Sequence, residues 1–256
     1  MPDNKKRILV INPNTAQETA ARMEKACAKI AAPGTTVRGI AIRARKNFSA
    51  YKVFSYVDLV ICATETTKLA WKNRKKYDGI IIAGFSDVGV DAIKEMLDIP
   101  VLGIAETSYH IAALISHRFS VLTGTAKWTP PKHDHVRALG IEAKVASFRP
   151  YSEWSENDSF DVLKKRLLDV ARRAIEEDGA EAIILGGGPL VGYGKLIEAE
   201  LGIPVIDPTL ATFKFMEALI DLGYSHSKVG RWKLPLKSLG DASGAKPYDR
   251  GWLDEP

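Results

Sequence analysis

Polar residues follow the first short apolar run of the chain and are candidates for binding a small anion. Asn12, Asn14 and Thr15 come directly after residues 8–11 and just before a helical pattern. Side-chain amides next to the free backbone donors of a helix start favour a carboxylate or another anion. Asn14 or Thr15 is equally suited to capping that helix, and one residue can do both. We therefore expect these three residues to contact substrate.

A similar loop follows the apolar run at residues 120–122 in the second half of the chain. It contains Thr123, Gly124 and Thr125, whose hydroxyl groups and backbone are suited to holding the other end of a ligand. The alternative is an ordinary strand-to-helix turn. All three residues belong to the predicted substrate-binding set.

Two glycine-containing loops end another pair of apolar runs. Residues 84–87 read Gly-Phe-Ser-Asp, and residues 186–188 are three consecutive glycines. Backbone N–H groups presented by such loops stabilise a carboxylate, an enolate or a tetrahedral oxyanion. The substrate-binding candidates here are Gly84, Phe85, Gly187 and Gly188. Neither loop continues into the Lys-Ser/Thr or the full Gly-x-Gly-x-x-Gly pattern of a nucleotide site, so no nucleotide cofactor is predicted.

Candidate acid and base groups lie in or near the first glycine loop. Ser86 and Asp87 belong to it, and a carboxylate at that place can activate water or relay a proton. Capping of the following helix is the rival interpretation for Asp87. Glu106 and His110 are four residues apart and would share a helix face, where they can act as an acid and base or orient each other. We take Glu106, Asp87 and Ser86 as the catalytic candidates.

Two nearby histidines, His133 and His135, invite a metal site. They flank Asp134, and no third or fourth ligand follows at a suitable spacing. A structural or catalytic zinc site needs three or four convergent ligands. We predict no metal and no organic cofactor.

Short β-branched runs alternate with helical patterns along the chain, which is typical of parallel sheets covered by helices on both faces. Strands are expected at residues 7–11, 37–42, 79–83, 101–104, 120–122, 142–146, 182–185 and 205–206. Helices are expected at residues 16–32, 55–76, 91–97, 108–116, 131–139, 159–178, 193–201 and 209–222. The sequence therefore predicts an α/β fold.

The two halves of the chain repeat the same order of elements. Residues 77–84 lead through a helix to Ile-Pro-Val at 99–101, and residues 180–187 lead to Ile-Pro-Val at 203–205. Ligands of open parallel sheets bind beyond the carboxyl ends of the strands. If the halves face each other about a pseudo-twofold axis, their loops meet in one cleft, which is the predicted active site.

Composition limits the classes of function. The chain has 256 residues, 46% of them hydrophobic, and a net charge of +5. The basic runs at 43–46 and 72–76 lack interleaved aromatic residues, so we expect no nucleic-acid binding. No apolar stretch approaches the roughly 18–20 residues of a membrane span, so we expect no membrane partner. Two cysteines, Cys27 and Cys62, fit a reducing compartment, and no export signal is evident, so we expect a cytoplasmic protein. Residues 229–256 lack a steady period and are expected to form an irregular tail.

Four segments together resemble the hydantoin and allantoin racemase branch of the aspartate/glutamate racemase superfamily. They are the strand and Asn-Pro-Asn-Thr loop at 8–15, the glycine loop region at 78–91, and the segments at 100–121 and 202–228. The resemblance implies two Rossmann-like lobes with parallel sheets, formed by residues 1–105 with 207–228 and by residues 106–206. It also implies a homo-oligomer, no cofactor, and a substrate held between the lobes.

The same resemblance implies a pair of cysteines, one in each lobe, that remove and return the α-proton on opposite faces of the substrate. The two positions correspond to Gly84 and Gly187, and glycine has no side-chain proton to give. Cys27 and Cys62 fall outside the paired loops. A second departure is the loop at 45–51, which differs from the Gly-Pro and Ser-Ile-Glu type loop of the branch and leaves the substrate open.

Three functions remain after this departure. The favoured one is an enzyme acting on a small carboxylate, ureide or cyclic amide through an enolate or oxyanion, by hydrolysis, decarboxylation or C–C or C–N cleavage. The second is a racemase whose thiols have been removed or replaced by other acid and base groups. The third is a ligand-binding pseudoenzyme. In each case the partner is a small anionic or amide molecule.

Overall fold

The computed structural model describes residues 5–43, 53, 55–151 and 159–233, whose strands form two four-stranded parallel sheets. The first has the order β2-β1-β3-β4 and the second the order β6-β5-β7-β8. The first sheet contains β1 (Lys6–Asn12), β2 (Thr35–Ala41), β3 (Gly79–Ile82) and β4 (Val101–Gly103). The second contains β5 (Phe119–Thr123), β6 (Val145–Pro150), β7 (Ala182–Gly186) and β8 (Val205–Ile206).

Helices follow the strands in the alternating order that parallel pairing requires. They are α1 (Gln17–Ala28), α2 (Tyr56–Asn73), α3 (Val90–Met96), α4 (Ile104–Ile115), α5 (Thr129–Ala138), α6 (Phe160–Asp178), α7 (Gly194–Leu201) and α8 (Pro208–Leu222). Short 3₁₀ turns occur at Ala126–Trp128, Glu142–Lys144 and Gly188–Leu190. None of the helices in the described ranges is long and apolar enough to cross a membrane.

The inner strands of both sheets are buried except at Arg7 of β1, which explains their apolar sequences. All residues of β3 and β7 are buried. One apolar cluster contains Val10 of the first sheet, Val121 of the second sheet, and Tyr109 and Phe213 of α4 and α8. The two sheets therefore share a core, which holds their strand ends in a fixed relation.

The matching strand orders confirm the predicted fold, an α/β architecture of two parallel-sheet lobes. In the first sheet β1 lies beside β3, and in the second β5 lies beside β7. Gly84 and Gly187 follow β3 and β7 and thus occupy equivalent places in the two lobes. The repeat seen in the sequence is therefore a repeat of structure.

Several predicted boundaries were wrong by three residues or more, among them the end of α1, which lies at Ala28 rather than 32. Strand β6 begins at Val145 rather than 142, because residues 142–144 form a 3₁₀ turn. Helix α4 begins at Ile104 rather than 108, directly after β4. The N–H groups of Ala105 and Glu106 in its first turn donate to Asp87, which lies far away in the sequence. The one local sign of this helix start was Glu106, whose carboxylate accepts from the N–H of the N-cap residue Gly103.

Helix α8 contacts the first sheet and its helices, although it lies at the other end of the chain. The N–H of Ala32 donates to Glu217 Oε1 at 2.9 Å, and Lys6 pairs with Asp221 at 2.5 Å. These contacts agree with the proposed division of the lobes, which stays a prediction.

The predicted tail is only partly described. Residues 229–233 lie within the described ranges and contain a turn, whereas residues 234–256 lie outside them. The loop at 45–51 also lies outside the described ranges.

A histidine in the segment after α8 links that segment to β4 and should make stability depend on pH. His226 Nε2 accepts a hydrogen bond from the N–H of Val101 at 2.7 Å. Burial, followed by the positive charges of Lys94 and Lys228, lowers the pKa of His226 to about 4 from 6.5. Because the unfolded chain binds this proton more tightly, the free energy of unfolding should fall as the pH drops from 6.5 to about 4.

We expect His226→Gln to flatten this pH dependence, because an amide oxygen can accept from Val101 and does not titrate in this range. The difference between wild type and variant should reach about 1–2 kcal/mol at the acid end, allowing for partial exposure. Urea unfolding followed by circular dichroism at a series of pH values measures it. Parallel curves for the two proteins would show that His226 carries no such linkage.

Candidate active site

The loops that follow the strands of both sheets enclose a cavity of about 210 Å³, here called the cleft cavity. The first lobe contributes the loops after β1 and β3, and the second lobe contributes those after β5 and β7. Eight predicted site residues line it, namely Asn12, Asn14, Gly84, Phe85, Ser86, Gly124, Gly187 and Gly188. The predicted meeting of the two halves at one cleft is thus present in the structure.

Three predicted binding residues lie outside the lining of the cleft cavity: Thr15, Thr123 and Thr125. Thr123 is fully buried, and its hydroxyl has no hydrogen-bond partner among the described residues. Thr125 has an extended backbone and precedes the 3₁₀ turn Ala126–Trp128 without forming a side-chain cap. Of the loop after β5, only Gly124 is part of the lining.

The asparagines after β1 hold their own loop in place. Asn12 Nδ2 donates to Asn14 Oδ1 at 2.6 Å and to the carbonyl of Ala16 at 3.0 Å. Asn14 Oδ1 also accepts from the N–H of Ala16 at 3.0 Å. The alternative role of Asn14 or Thr15, capping the next helix, was wrong. Helix α1 begins at Gln17, and no side chain caps it. The network rigidifies the loop that forms one wall of the cleft cavity.

The glycines of the cleft differ in how much room surrounds them. A Cβ on Gly188 would lie 2.5 Å from the carbonyl oxygen of Ala83, in the loop of the other lobe. A Cβ on Gly84 would lie 2.4 Å from Pro13 Cγ, whereas one on Gly187 would meet nothing closer than 3.9 Å. Gly188 therefore permits a close approach of the two lobes, whereas a Cβ on Gly187 would make only ordinary van der Waals contact with Leu190 and Pro189.

We expect Gly188→Ala to destabilise the protein by about 1–3 kcal/mol, because the new methyl group must push the loops of the two lobes apart. Gly187→Ala is the matched control, and its effect should stay within about 1 kcal/mol, because the new methyl group meets its neighbours at ordinary van der Waals distance. Thermal and urea unfolding of both variants measure the difference. Equal losses in the two variants would contradict the close approach at Gly188.

A second cavity of about 350 Å³, the side cavity, adjoins the cleft cavity. Both are lined by Phe85, Ser86, Trp128 and Lys132. The side cavity continues to Asp87, Glu106 and His135. Two of the three catalytic candidates, Asp87 and Glu106, thus line the side cavity and are absent from the lining of the cleft cavity, whereas Ser86 lines both.

Asp87 ties the loop after β3 to the start of α4. Its carboxylate accepts from the N–H of Ala105 at 2.9 Å and of Glu106 at 2.7 Å. A Cβ on Gly103 would lie 2.2 Å from Asp87 Cγ, so glycine is required there. Burial, followed by the charge of Glu106, raises the pKa of Asp87, and the two N–H groups oppose the shift. The rival interpretation, that Asp87 caps the helix that follows it, was wrong. That helix, α3, has no side-chain cap, and the carboxylate of Asp87 caps α4 instead.

Glu106 is engaged in contacts that stabilise the fold. Its oxygens accept from Lys94 Nζ at 2.6 and 2.7 Å, and Oε1 also accepts from the N–H of Gly103 at 3.1 Å. Its proposed partner His110 is exposed and lines a third cavity of about 560 Å³. Sequence reasoning missed Lys94, because no local pattern connects residues that lie twelve positions apart.

Sequence reasoning also missed Lys132 of α5, and it considered His135 of the same helix only as a metal ligand. Lys132 is 7% exposed and lines both the cleft cavity and the side cavity. Burial lowers its pKa to about 8, and the charge of Asp87 opposes this shift. His135 Nε2 lies 3.8 Å from Asp87 Oδ2. The position of Lys132 in the first turn of the helix after the Thr-Gly-Thr loop was the available signal, since that turn adjoins the strand ends.

Comparison with known proteins agrees with this architecture. Residues 8–216 match the model of the family described as Asp/Glu/Hydantoin racemase. The chain belongs to this family. It is 32% identical to the hydantoin racemase of Paenarthrobacter aurescens, over 90% of this chain and 97% of that one.

Solved structures of the family are similar over almost the whole chain. The allantoin racemase of Klebsiella pneumoniae has a TM-score of 0.84 at 30% identity, covering 91% of this chain and 95% of that one. The allantoin racemase of Pseudomonas fluorescens has a TM-score of 0.83 at 28% identity, covering 90% and 97%. The chain is therefore similar to these racemases in both sequence and fold.

The two cysteines of this family member lie outside the linings of the three cavities. Cys27 of α1 and Cys62 of α2 are both buried. Burial, followed by nearby carboxylates, raises the pKa of Cys27 to about 12 and that of Cys62 to about 11. Since the thiolate is the reactive form, neither residue is suited to proton transfer at neutral pH.

The histidines considered for a metal site do not converge. The ring of His133 packs against Phe148 with centroids 4.6 Å apart, whereas His135 faces Asp87. Among the described residues, no group of three or more His, Cys, Asp or Glu side chains could hold a metal ion. The two histidine side chains therefore contact different parts of the protein and do not point at a common site.

Proposed function

We propose that this chain is a cofactor-independent isomerase that removes and returns a proton at the carbon next to a carbonyl in a cyclic ureide of the hydantoin or allantoin class. The observation that carries the proposal is the cleft cavity between the strand ends of both lobes, in a chain similar to hydantoin racemases over 90% of its length. A cavity of about 210 Å³ suits a small ring with limited substituents.

The chemistry that this site supports begins with loss of the acidic proton of the ring carbon. The electron pair of the C–H bond moves into the neighbouring carbonyl, whose oxygen becomes an enolate. Backbone N–H groups of the glycine loops are suited to stabilise that oxygen. The proton then returns to the carbon, and the product has the same composition as the substrate.

Hydrolysis, decarboxylation and cleavage were favoured from the sequence, because the family's thiols are missing from Gly84 and Gly187. The names of the relatives favour isomerisation instead, so these reactions become outcomes of the test. The structural equivalence of the two glycines supports the inference that both thiol positions are empty here. Proton transfer must then use a group other than a thiol.

Proton exchange in deuterated water tests the proposal. Single enantiomers of 5-methylhydantoin, 5-benzylhydantoin and allantoin are incubated with the protein and followed by NMR and polarimetry. We expect enzyme-dependent loss of the ring C–H signal, faster than in buffer alone, without new compounds. Peaks from ring opening or fragmentation would assign the protein to hydrolysis or cleavage. Binding seen only as line broadening, with no exchange, would assign it to ligand binding.

A further inference from the structure

We propose that Lys132 is the group that carries the proton to and from the substrate. This inference rests on the proposed function and names the acid and base of the same site. It is supported by the place of Lys132 in the lining, the contacts of its amine, and its charge environment.

The first support is placement. Lys132 lies in the first turns of α5, directly after the loop that follows β5. Its side chain is buried, and it lines the cleft cavity together with Gly84, Gly187 and Gly188. Of the described residues that line this cavity, Lys132 is the one whose side chain carries an amine that can accept a proton. Asp87 and Glu106 line only the neighbouring cavities.

The second support is that the amine is not committed to an ion pair. Lys132 Nζ donates one long hydrogen bond, of 3.4 Å, to the carbonyl of Trp128, and lies 5.8 Å from the centroid of the Phe85 ring. Among the residues that the structure describes, no carboxylate forms an ion pair with it. Lys94 is equally buried but donates to both oxygens of Glu106. A buried lysine without such a partner is available for proton transfer.

The third support is electrostatic. Apolar surroundings disfavour the ammonium form of Lys132, and the more distant charge of Asp87 partly offsets this effect. The resulting pKa of about 8 leaves about a tenth of the amine unprotonated at pH 7 and about half of it at pH 8. A base and its conjugate acid are most effective when the pKa lies near the working pH.

The step can be written with all atoms accounted for. The free amine of Lys132 takes the proton of the ring carbon and becomes ammonium, while the C–H electron pair forms the enolate. The ammonium exchanges its hydrogens with water and returns one to the same carbon. A single carrier returns it to the face from which it came. Inversion requires water to protonate the opposite face, and the ammonium of Lys132 then neutralises the hydroxide so formed. Exchange should therefore be faster than racemisation.

The experiment follows one enantiomer of 5-benzylhydantoin in deuterated water, with NMR for exchange and polarimetry for inversion. We expect wild type to exchange faster than it inverts, with a rate that rises to half its plateau near pH 8. Lys132→Met should lose at least about 100-fold in exchange. Lys132→Arg should lose a similar factor, because arginine keeps the positive charge but gives up no proton in this range. Lys195→Met, at an exposed lysine of α7, is the matched control.

The outcomes separate this inference from the proposed function. No exchange by wild type with any of the three ring compounds would overturn the proposed function itself. Exchange by wild type that Lys132→Met retains within about 10-fold would overturn only the role of Lys132. Recovery by Lys132→Arg would show a purely electrostatic role and also overturn it. Circular dichroism shows that each variant folds, and line broadening of the 5-benzylhydantoin signals shows that it binds the ring compound. The pH profile of wild type tests the role of Lys132 without any substitution.

Discussion

Placing cysteines at both strand ends, in the double variant Gly84→Cys/Gly187→Cys, should raise the rate of hydantoin racemisation by about 10²–10⁴-fold over wild type. The two glycines follow β3 and β7 at equivalent places of the two lobes, and both line the cleft cavity. A thiol on each side provides an acid for one face of the ring and a base for the other. Inversion would then become as fast as exchange, in contrast to a single carrier.

The two substitutions should differ in their cost to the fold. Gly187 has no neighbour within 3.9 Å of a new Cβ, so Gly187→Cys should be tolerated with little change in stability. At Gly84 the new Cβ would lie 2.4 Å from Pro13 Cγ, so the loop after β1 must shift. We expect the double variant to lose about 1–3 kcal/mol, nearly all of it from Gly84→Cys.

The control is the double variant Gly84→Ser/Gly187→Ser, which adds side chains of similar size that do not ionise in this range. It should show the same loss of stability and no gain in racemisation. Polarimetry with each enantiomer of 5-benzylhydantoin, and titration of the new thiols with a chromogenic disulfide, complete the measurement. A folded double variant with two titratable thiols and wild-type racemisation would show that the strand-end positions are not where the ring carbon binds.

The fold was predictable from sequence because its determinants are local. Short apolar runs of β-branched residues next to glycine, such as residues 80–82, favour buried strands. Their alternation with amphipathic helices favours a parallel sheet. The repeat of a glycine loop and an Ile-Pro-Val strand then predicted two matching lobes. The predicted cleft followed from the rule that strand ends gather at one edge.

The chemistry of the site was less predictable, because its key contacts join residues that are far apart in sequence. The sequence places Glu106 near His110, whereas the structure pairs it with Lys94 of a different helix. It places Asp87 before α3, whereas the carboxylate turns back to α4. Lys132 stands in a polar stretch that is typical of a solvated helix, and only the packing of Phe85 and Trp128 around it shows that it is buried.

A carboxylate joins the same two elements beside each sheet, but from opposite ends. Beside the first sheet, Asp87 in the loop after β3 accepts from the start of the helix after β4. Beside the second sheet, Asp207 at the start of the helix after β8 accepts from the N–H of Gly192 in the loop after β7 at 2.6 Å. The requirement is shared, because each glycine loop must be held against the next strand and helix. This symmetry favours a structural role for Asp87.

That role leads to a large expected loss of stability in Asp87→Ala, of about 3–5 kcal/mol. The substitution leaves the buried N–H groups of Ala105 and Glu106 without acceptors, at about 1–3 kcal/mol each. Asp87 also has a φ of 45°, in the left-handed region that alanine disfavours. Removing a buried charge next to Glu106 relieves some repulsion, which keeps the expected loss below the sum of these costs.

Asp87→Asn is the matched variant, because asparagine tolerates the left-handed region and keeps one oxygen acceptor while losing the charge. We expect it to lose about 1–2 kcal/mol and to retain most of the exchange activity of wild type, whereas a catalytic carboxylate would lose about 10²-fold or more. Urea unfolding and proton exchange on the same samples give both values. Stable folding of both variants together with loss of exchange would reverse the assignment and make Asp87 a proton carrier, in which case the link to α4 would serve to orient its carboxylate.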